Sequence, residues 1–245
     1  MAEEEWDIGT ADGFRIYGVR NKSDKKKNDK AIIYIHGLSY DAYDYAATRM
    51  AMTFPKQGYD VIRLNLYSWQ EDARSLTDCT FKVHASDINA VYNFFKKQYK
   101  KLFAVGFSYG GPSLMEAKVN QFDAISLWDP TYIPANTVEM SEYKKVKNLQ
   151  VSLIGKTHVM STEFIDAAKA YDRDYAIKLA KKCKSPIQVI YAGKDGFWIE
   201  EGESFHTHSK GPTDERVVKA TSHFFHEEGA TAPVLRYTKK WFDQF

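Results

Sequence analysis

The sequence predicts an α/β fold: a mostly parallel sheet with helices on both faces and a small inserted cap. Three observations predict it. Short apolar runs rich in β-branched residues ("AIIYI", "DVIRLNL", "KLFAVGF", "AISLWD", "PIQVIYA") recur along the chain, helical patterns alternate with them, and one stretch, about 130–184, interrupts the alternation. A chain of 245 residues is long enough for one such domain, residues 1–245, with a sizeable core.

The elements follow in order. "EWDIGT" and "FRIYGVR" flank Asp12 and Gly13 and read as a hairpin. "AIIYI" is too short for a helix and runs straight into His36 and Gly37, so it reads as a buried strand ending in a loop. Helical spacing from about Tyr43 to Phe54 stops before Pro55, which lacks the donor a helix interior needs. After "DVIRLNL", a helix is expected from about Thr80 to Tyr99, because Phe81, Ile88, Val91, Tyr92 and Phe95 share one face. His84 lies at the edge of that face, three residues before Asp87 with which it should interact locally. "KLFAVGF" is the next strand, followed by a short helix from about Gly110 and the strand "AISLWD". Within the insertion, Ser161 precedes "TEFIDAAKAYDRDYAIKLAKKC", a capped helical stretch, so the insertion is expected to be folded. "ERVVKA" and a closing helix in "PVLRYTKKWF", with Pro233 in its first turn, complete the chain.

Composition excludes several classes of function. Lys and Arg number 34 against 32 Asp and Glu, a formal charge of +2 that gives no reason to expect nucleic acid as a partner. The lysines of "NKSDKKKNDK" sit among polar residues between two strands and read as a solvated loop. "MAEEEWDIGT" has no apolar core of a signal peptide and no segment approaches a membrane span, so a cytoplasmic protein is expected. Cys79 and Cys183 have neither the number of a disulfide framework nor the spacing of a metal or redox motif. His206 and His208 lack accompanying carboxylates in a zinc pattern, and no metal is expected there.

The chemistry is carried by "LFAVGFSYGG". A serine between glycines in "G-F-S-Y-G", after a strand and opening a helix, matches the nucleophile elbow, where a tight turn holds the hydroxyl clear of the backbone. Ser108 is therefore the candidate nucleophile. A serine hydroxyl needs a base, and the base needs a group to orient it. His223, in "KATSHFF" past the last strand, is the candidate base, with His226 as a competitor three residues on. Asp195, in "VIYAGKDGFW", is the candidate acid, which puts serine, acid and histidine in the chain order expected of this elbow. Asp129 of "SLWDP" also ends a strand and competes for the role. All these residues fall at carboxyl ends of strands, where open α/β sheets bind ligands. The oxyanion hole is expected from the backbone N–H groups of Tyr109, after the nucleophile, and Leu38, in "YIHGLSY", where Gly37 lets the chain turn closely. His36 reads as an organiser of that loop. Tyr40, Tyr43, Phe107, Tyr132, Phe197 and Trp198 fall near loop ends around the site, and a few should line an apolar acyl or aryl pocket.

"AIIYIHGLS", "AVGFSYGG", "VIYAGKDG" and "ATSHFF", in this order across nearly the whole chain, resemble the α/β-hydrolase superfamily, serine esterase branch. The stretch "STEFIDAAKAYDRDYAIKLAKKCKSPIQVIYAGKD" resembles, more loosely, the helical end of the cap in cinnamoyl and feruloyl esterase-like members. The resemblance implies a serine hydrolase with no cofactor, acting through an acyl-enzyme on a small-molecule ester, with Ser108, Asp195 and His223 as triad and Leu38 as oxyanion donor. "TSHFF" departs from relatives that place a small residue and an acid before the histidine. The same machinery would serve an acyl thioesterase or acyl-peptide hydrolase, and a catalytically silent binding protein on this fold is the reading from a different class.

Overall fold

The computed structural model describes residues 3–25, 28–139, 143–152, 159–194 and 203–245. Eight strands form the main sheet: β1 (Glu3–Gly9), β2 (Arg15–Asn21), β3 (Lys30–Ile35), β4 (Asp60–Leu64), β5 (Lys101–Phe107), β6 (Ile125–Trp128), β10 (Ile187–Ala192) and β11 (Thr213–Val218), in the spatial order β1-β2-β4-β3-β5-β6-β10-β11. β1 and β2 form the expected antiparallel hairpin and β2 runs antiparallel to β4, while every other neighbouring pair is parallel. The two-residue alternation of strand side chains sorts the core onto both faces of the sheet. Ile33, Ile35, Leu102 and Ala104 pack on one side, Ile32, Tyr34, Phe103 and Val105 on the other.

Helices cover each face as the alternating pattern requires. α1 (Tyr45–Thr53) and the closing helix, called α7 here (Thr231–Phe242), lie on the Tyr34 side, whereas α2 (Phe81–Phe95) and α3 (Gly110–Glu116) lie on the other. The Asp44 carboxylate accepts the Ala47 N–H at 2.7 Å and starts α1, and Thr80 does the same for α2 through Val83 N–H. α2 stops at Phe95, short of the expected Tyr99. There the chain turns, and the Tyr99 hydroxyl is drawn to Asp60 at the start of β4, 2.6 Å away.

The region after β6 carries α4 (Pro134–Glu139), then a small antiparallel sheet of β7 (Tyr143–Val146), β8 (Leu149–Ser152) and β9 (Val159–Ser161). The sequence pattern does not announce these strands. They are three or four residues long, and β7 is largely exposed and lysine-rich, so no apolar alternation marks them. The expected helical stretch is two helices, α5 (Thr162–Lys169) and α6 (Arg173–Ala180), each with its own side-chain cap, Ser161 and Asp172. Among the described residues, no helix is long and apolar enough to cross a membrane.

Candidate active site

β5 ends in a turn that puts Ser108 at φ 51°, a left-handed angle unfavourable for a residue with a side chain. Three hydrogen bonds hold it there. Its N–H donates to Trp128 O at 3.0 Å, and its carbonyl accepts from Gly111 N–H at 2.9 Å and Thr131 N–H at 3.1 Å. The flanking glycines are required by contact. A Cβ on Gly106 would lie 2.8 Å from the Gly110 carbonyl oxygen, and one on Gly110 only 2.3 Å from that of Ile35. The strained turn is thus over-determined by its surroundings, the condition under which such strain persists.

His223 reaches the serine from the loop after β11. Its Nε2 lies 2.9 Å from Ser108 Oγ and its Nδ1 lies 2.5 Å from Asp129 Oδ2. The carboxylate accepts at Nδ1, so the neutral ring carries its proton there and presents Nε2 to the hydroxyl. Asp129 is 2 % exposed. Its other oxygen accepts the Ala192 N–H at 3.0 Å and its own N–H donates to Ile190 O, so the carboxylate is fixed between β6 and β10. Chain order favours Asp195 as the acid; the structure sets Asp129 against the imidazole, and Asp195 lies outside the described residues. The physical reason is adjacency: β6 pairs directly with β5, so the first residue past β6 lies beside Ser108. His226, the competitor for the base, packs its ring against Tyr45 and Phe224.

The imidazole is walled by rings. Phe107 stacks on it with centroids 5.3 Å apart, Phe224 meets it edge-on at 5.0 Å, and Tyr40 contacts both of those phenylalanines. Phe197 and Trp198, expected near the site, lie outside the described residues, and Tyr132 packs edge-on against Phe205.

The loop after β3 runs past the serine. A Cβ on Gly37 would stand 3.1 Å from Ser108 Cβ, so Leu38 follows directly on the residue that passes the serine. Among the described residues, the N–H groups of Leu38 and Tyr109 donate to no backbone carbonyl. His36 organises this loop: Nδ1–H donates to Gly37 O at 2.8 Å and Nε2 accepts Leu66 N–H at 3.0 Å. Accepting at Nε2 requires a neutral ring, and burial pushes its pKa down to about 4. His84 does not pair with Asp87 as the helical spacing suggests. Its Nδ1 bonds Ser113 Oγ at 3.0 Å, while Asp87 pairs with the buried Arg74 at 2.8 Å. Phe164 of α5 joins Phe81 and Tyr109 in one aromatic cluster, so the insertion packs directly on the elbow.

Solved structures share this architecture over nearly the whole chain. Est1E from Butyrivibrio proteoclasticus matches with a TM-score of 0.77 at 15% identity, covering 98% of this chain and 99% of that one. The α/β hydrolase GrgF from Penicillium sp. sh18 matches at 0.78 and 12%, covering 100% and 99%. Dienelactone hydrolase from Anabaena variabilis matches at 0.71 and 15%, covering 99% and 98%. The fold is that of the α/β hydrolases. No family model matches the chain, and no curated protein does.

Within this α/β-hydrolase fold, the sequence reading missed the side chains that hold the site loops. Glu227 accepts from Thr221 Oγ1 at 2.6 Å and from Ser222 N–H at 2.8 Å, closing the turn that carries His223. Those hydrogen bonds, from Thr221 foremost, hold its carboxyl down to about 2. Arg63, Asn65 and Tyr67 each bond the backbone of the loop after β3. The only sequence signal for any of them is their position near strand ends, which many polar residues share.

Proposed function

We propose that this protein is a serine carboxylic-ester hydrolase acting through an acyl-enzyme on a small or medium acyl or aryl ester. The observation that carries the reading is the continuous hydrogen-bonded chain from Ser108 Oγ through His223 to Asp129. Ser108 Oγ attacks the ester carbonyl carbon as its proton passes to His223 Nε2, and the carbonyl π pair moves onto oxygen. Asp129 holds the ring in the reactive tautomer and stabilises the imidazolium. The N–H groups of Leu38 and Tyr109 hold the oxyanion. Its collapse breaks the bond to the leaving alkoxide, which takes the proton from His223. Water, deprotonated by the same nitrogen, then attacks the acyl-enzyme and releases the acid.

The substrate class draws support from the surroundings. A groove of about 700 Å³ opens beside the oxyanion loop between Trp6, Tyr17, Tyr40, Tyr43, Tyr67 and Trp69. Its aromatic faces, set among the polar side chains of Glu5, Asp7, Asp41 and Gln70, suit an aryl group, and one solved structure of Est1E holds ferulic acid, an aryl acid.

The test is Ser108→Ala with a fluorophosphonate probe. The parent should be labelled at Ser108 and hydrolyse activated short-chain esters, while the variant keeps its circular dichroism and loses about 10⁴ to 10⁶ in kcat. Near-parental hydrolysis by the variant would remove the nucleophile and this reading with it.

A further inference from the structure

The loop expected to supply the oxyanion donor contains a strained residue and an unusual hold upon it. Ser39, directly after Leu38, stands at φ 64°, a left-handed angle that a non-glycine residue keeps only when its surroundings impose it. Its N–H donates to the Tyr67 hydroxyl at 2.6 Å. The same hydroxyl lies 3.4 Å from the Gly37 carbonyl oxygen, which also accepts His36 Nδ1–H at 2.8 Å. These contacts bracket Leu38. The Gly37 carbonyl and the Leu38 N–H are opposite ends of one planar trans peptide, so holding the carbonyl aims the N–H the other way. The Ser39 N–H belongs to the next peptide. One phenol, on the loop beyond β4, therefore pins both peptides that set the direction of the Leu38 N–H.

We infer that Tyr67 is a positioning residue for the oxyanion hole: through Ser39 and Gly37 it keeps the Leu38 N–H aimed at the developing oxyanion. The inference rests on the serine-hydrolase reading above. Tyr67 touches no reacting atom in this role, and its ring is itself fixed edge-on against His36, with centroids 5.1 Å apart. Removing its oxygen leaves the packing of the ring and releases Ser39 from its strained angle.

Tyr67→Phe tests this. A mispositioned donor lowers transition-state binding without lowering substrate binding, so kcat should fall by about 10- to 100-fold, less than the loss of a whole donor, with KM within about twofold. Affinity for a trifluoromethyl ketone, which forms a tetrahedral oxyanion on Ser108, should fall by the same factor as kcat/KM. Affinity for the product acid should not change, because phenylalanine keeps the ring that lines the groove. A merely structural residue would not link these quantities. Ser39→Gly supplies the second variant, since glycine adopts the left-handed angle without a hold. Adding Tyr67→Phe to Ser39→Gly should cost several-fold less than adding it to the parent.

An active parent whose Tyr67→Phe variant keeps its kcat, or loses kcat with unchanged ketone affinity, overturns this proposal alone. So does a full Tyr67→Phe loss in the Ser39→Gly background. If Tyr67→Phe does not fold alone, its combination with Ser39→Gly is read against Ser39→Gly by the same ketone affinity. A parent that neither hydrolyses esters nor takes the probe at Ser108 overturns the hydrolase reading, and this proposal with it.

Discussion

At the residue scale, the geometry around His223 makes a prediction about acids. A carboxylate that fixes the tautomer of the base and stabilises its imidazolium is costly to neutralise, by about 10⁴ in kcat for asparagine in a comparable triad. Asp129, 2 % exposed and 2.5 Å from Nδ1, is placed for that role. Asp129→Asn should therefore be the crippled enzyme, and Asp195→Asn the milder one. The measurement is kcat/KM on one activated short-chain ester for both variants, after circular dichroism has shown each to be folded. The reverse ranking would return the acid to Asp195.

At the element scale, the β5–α3 turn is a contact between backbones, and side chains cannot be added to it cheaply. Gly110→Ala would drive its methyl against the backbone oxygens of Ile35 and His36, at 2.3 and 2.8 Å, in the strand that leads to the oxyanion loop. Neither atom is the end of a flexible side chain, so β3 and α3 must separate. We expect a loss of about 3 kcal/mol or more in urea unfolding, together with loss of probe labelling at Ser108. A Gly110→Ala protein of parental stability would mean that the turn has room the structure does not show. The start of α1 carries a different device. Burial raises the Asp44 carboxyl to about 6, against the hydrogen bonds from Ala47 N–H and Tyr34 O–H that favour its ionised form. Between about pH 4 and 6 the folded chain thus keeps a proton that the unfolded chain has released, and this group's contribution to stability falls as pH rises.

At the scale of the whole molecule, two buried histidines act in the opposite direction. Burial pushes His36 to about 4 and His84 to about 3, so from about pH 6.5 downward the unfolded chain takes protons that the folded chain refuses. Their stabilisation is complete above the ordinary histidine range and is lost as pH falls, with the His36 share alone on the order of 3 kcal/mol. Two histidines with the larger displacements outweigh one aspartate, so stability should drop from pH 6.5 to 4. Asp44→Asn, which removes the opposing group and keeps a capping oxygen, should steepen that drop. Urea midpoints for parent and variant at pH 7, 6, 5 and 4 measure both slopes, and a shallower slope in Asp44→Asn would contradict the assignment. Both histidines border the loop after β3, at Gly37 and Leu38.

What the sequence by itself determined was local. The two glycines around Ser108, the strand before and the helix after are legible from residue type and hydrophobic spacing, although what excludes a Cβ at 110 is the backbone of β3. The alternation of strands and helices likewise foretold a mainly parallel sheet, since periodicity of side chains is a property of each segment alone. The short strands β7 to β9 escaped because strands of three and four residues are too short to show a period, and β7 is largely exposed besides. Only the tertiary structure decided which side chains meet. His223 and Asp129 are 94 residues apart and Tyr67 reaches Ser39 across 28, and the polar residues at strand ends look alike in a linear chain. The order of strands in the sheet sets which of them face each other, and that order arises from how the two apolar faces are buried, a competition among many distant contacts that no short stretch of sequence records.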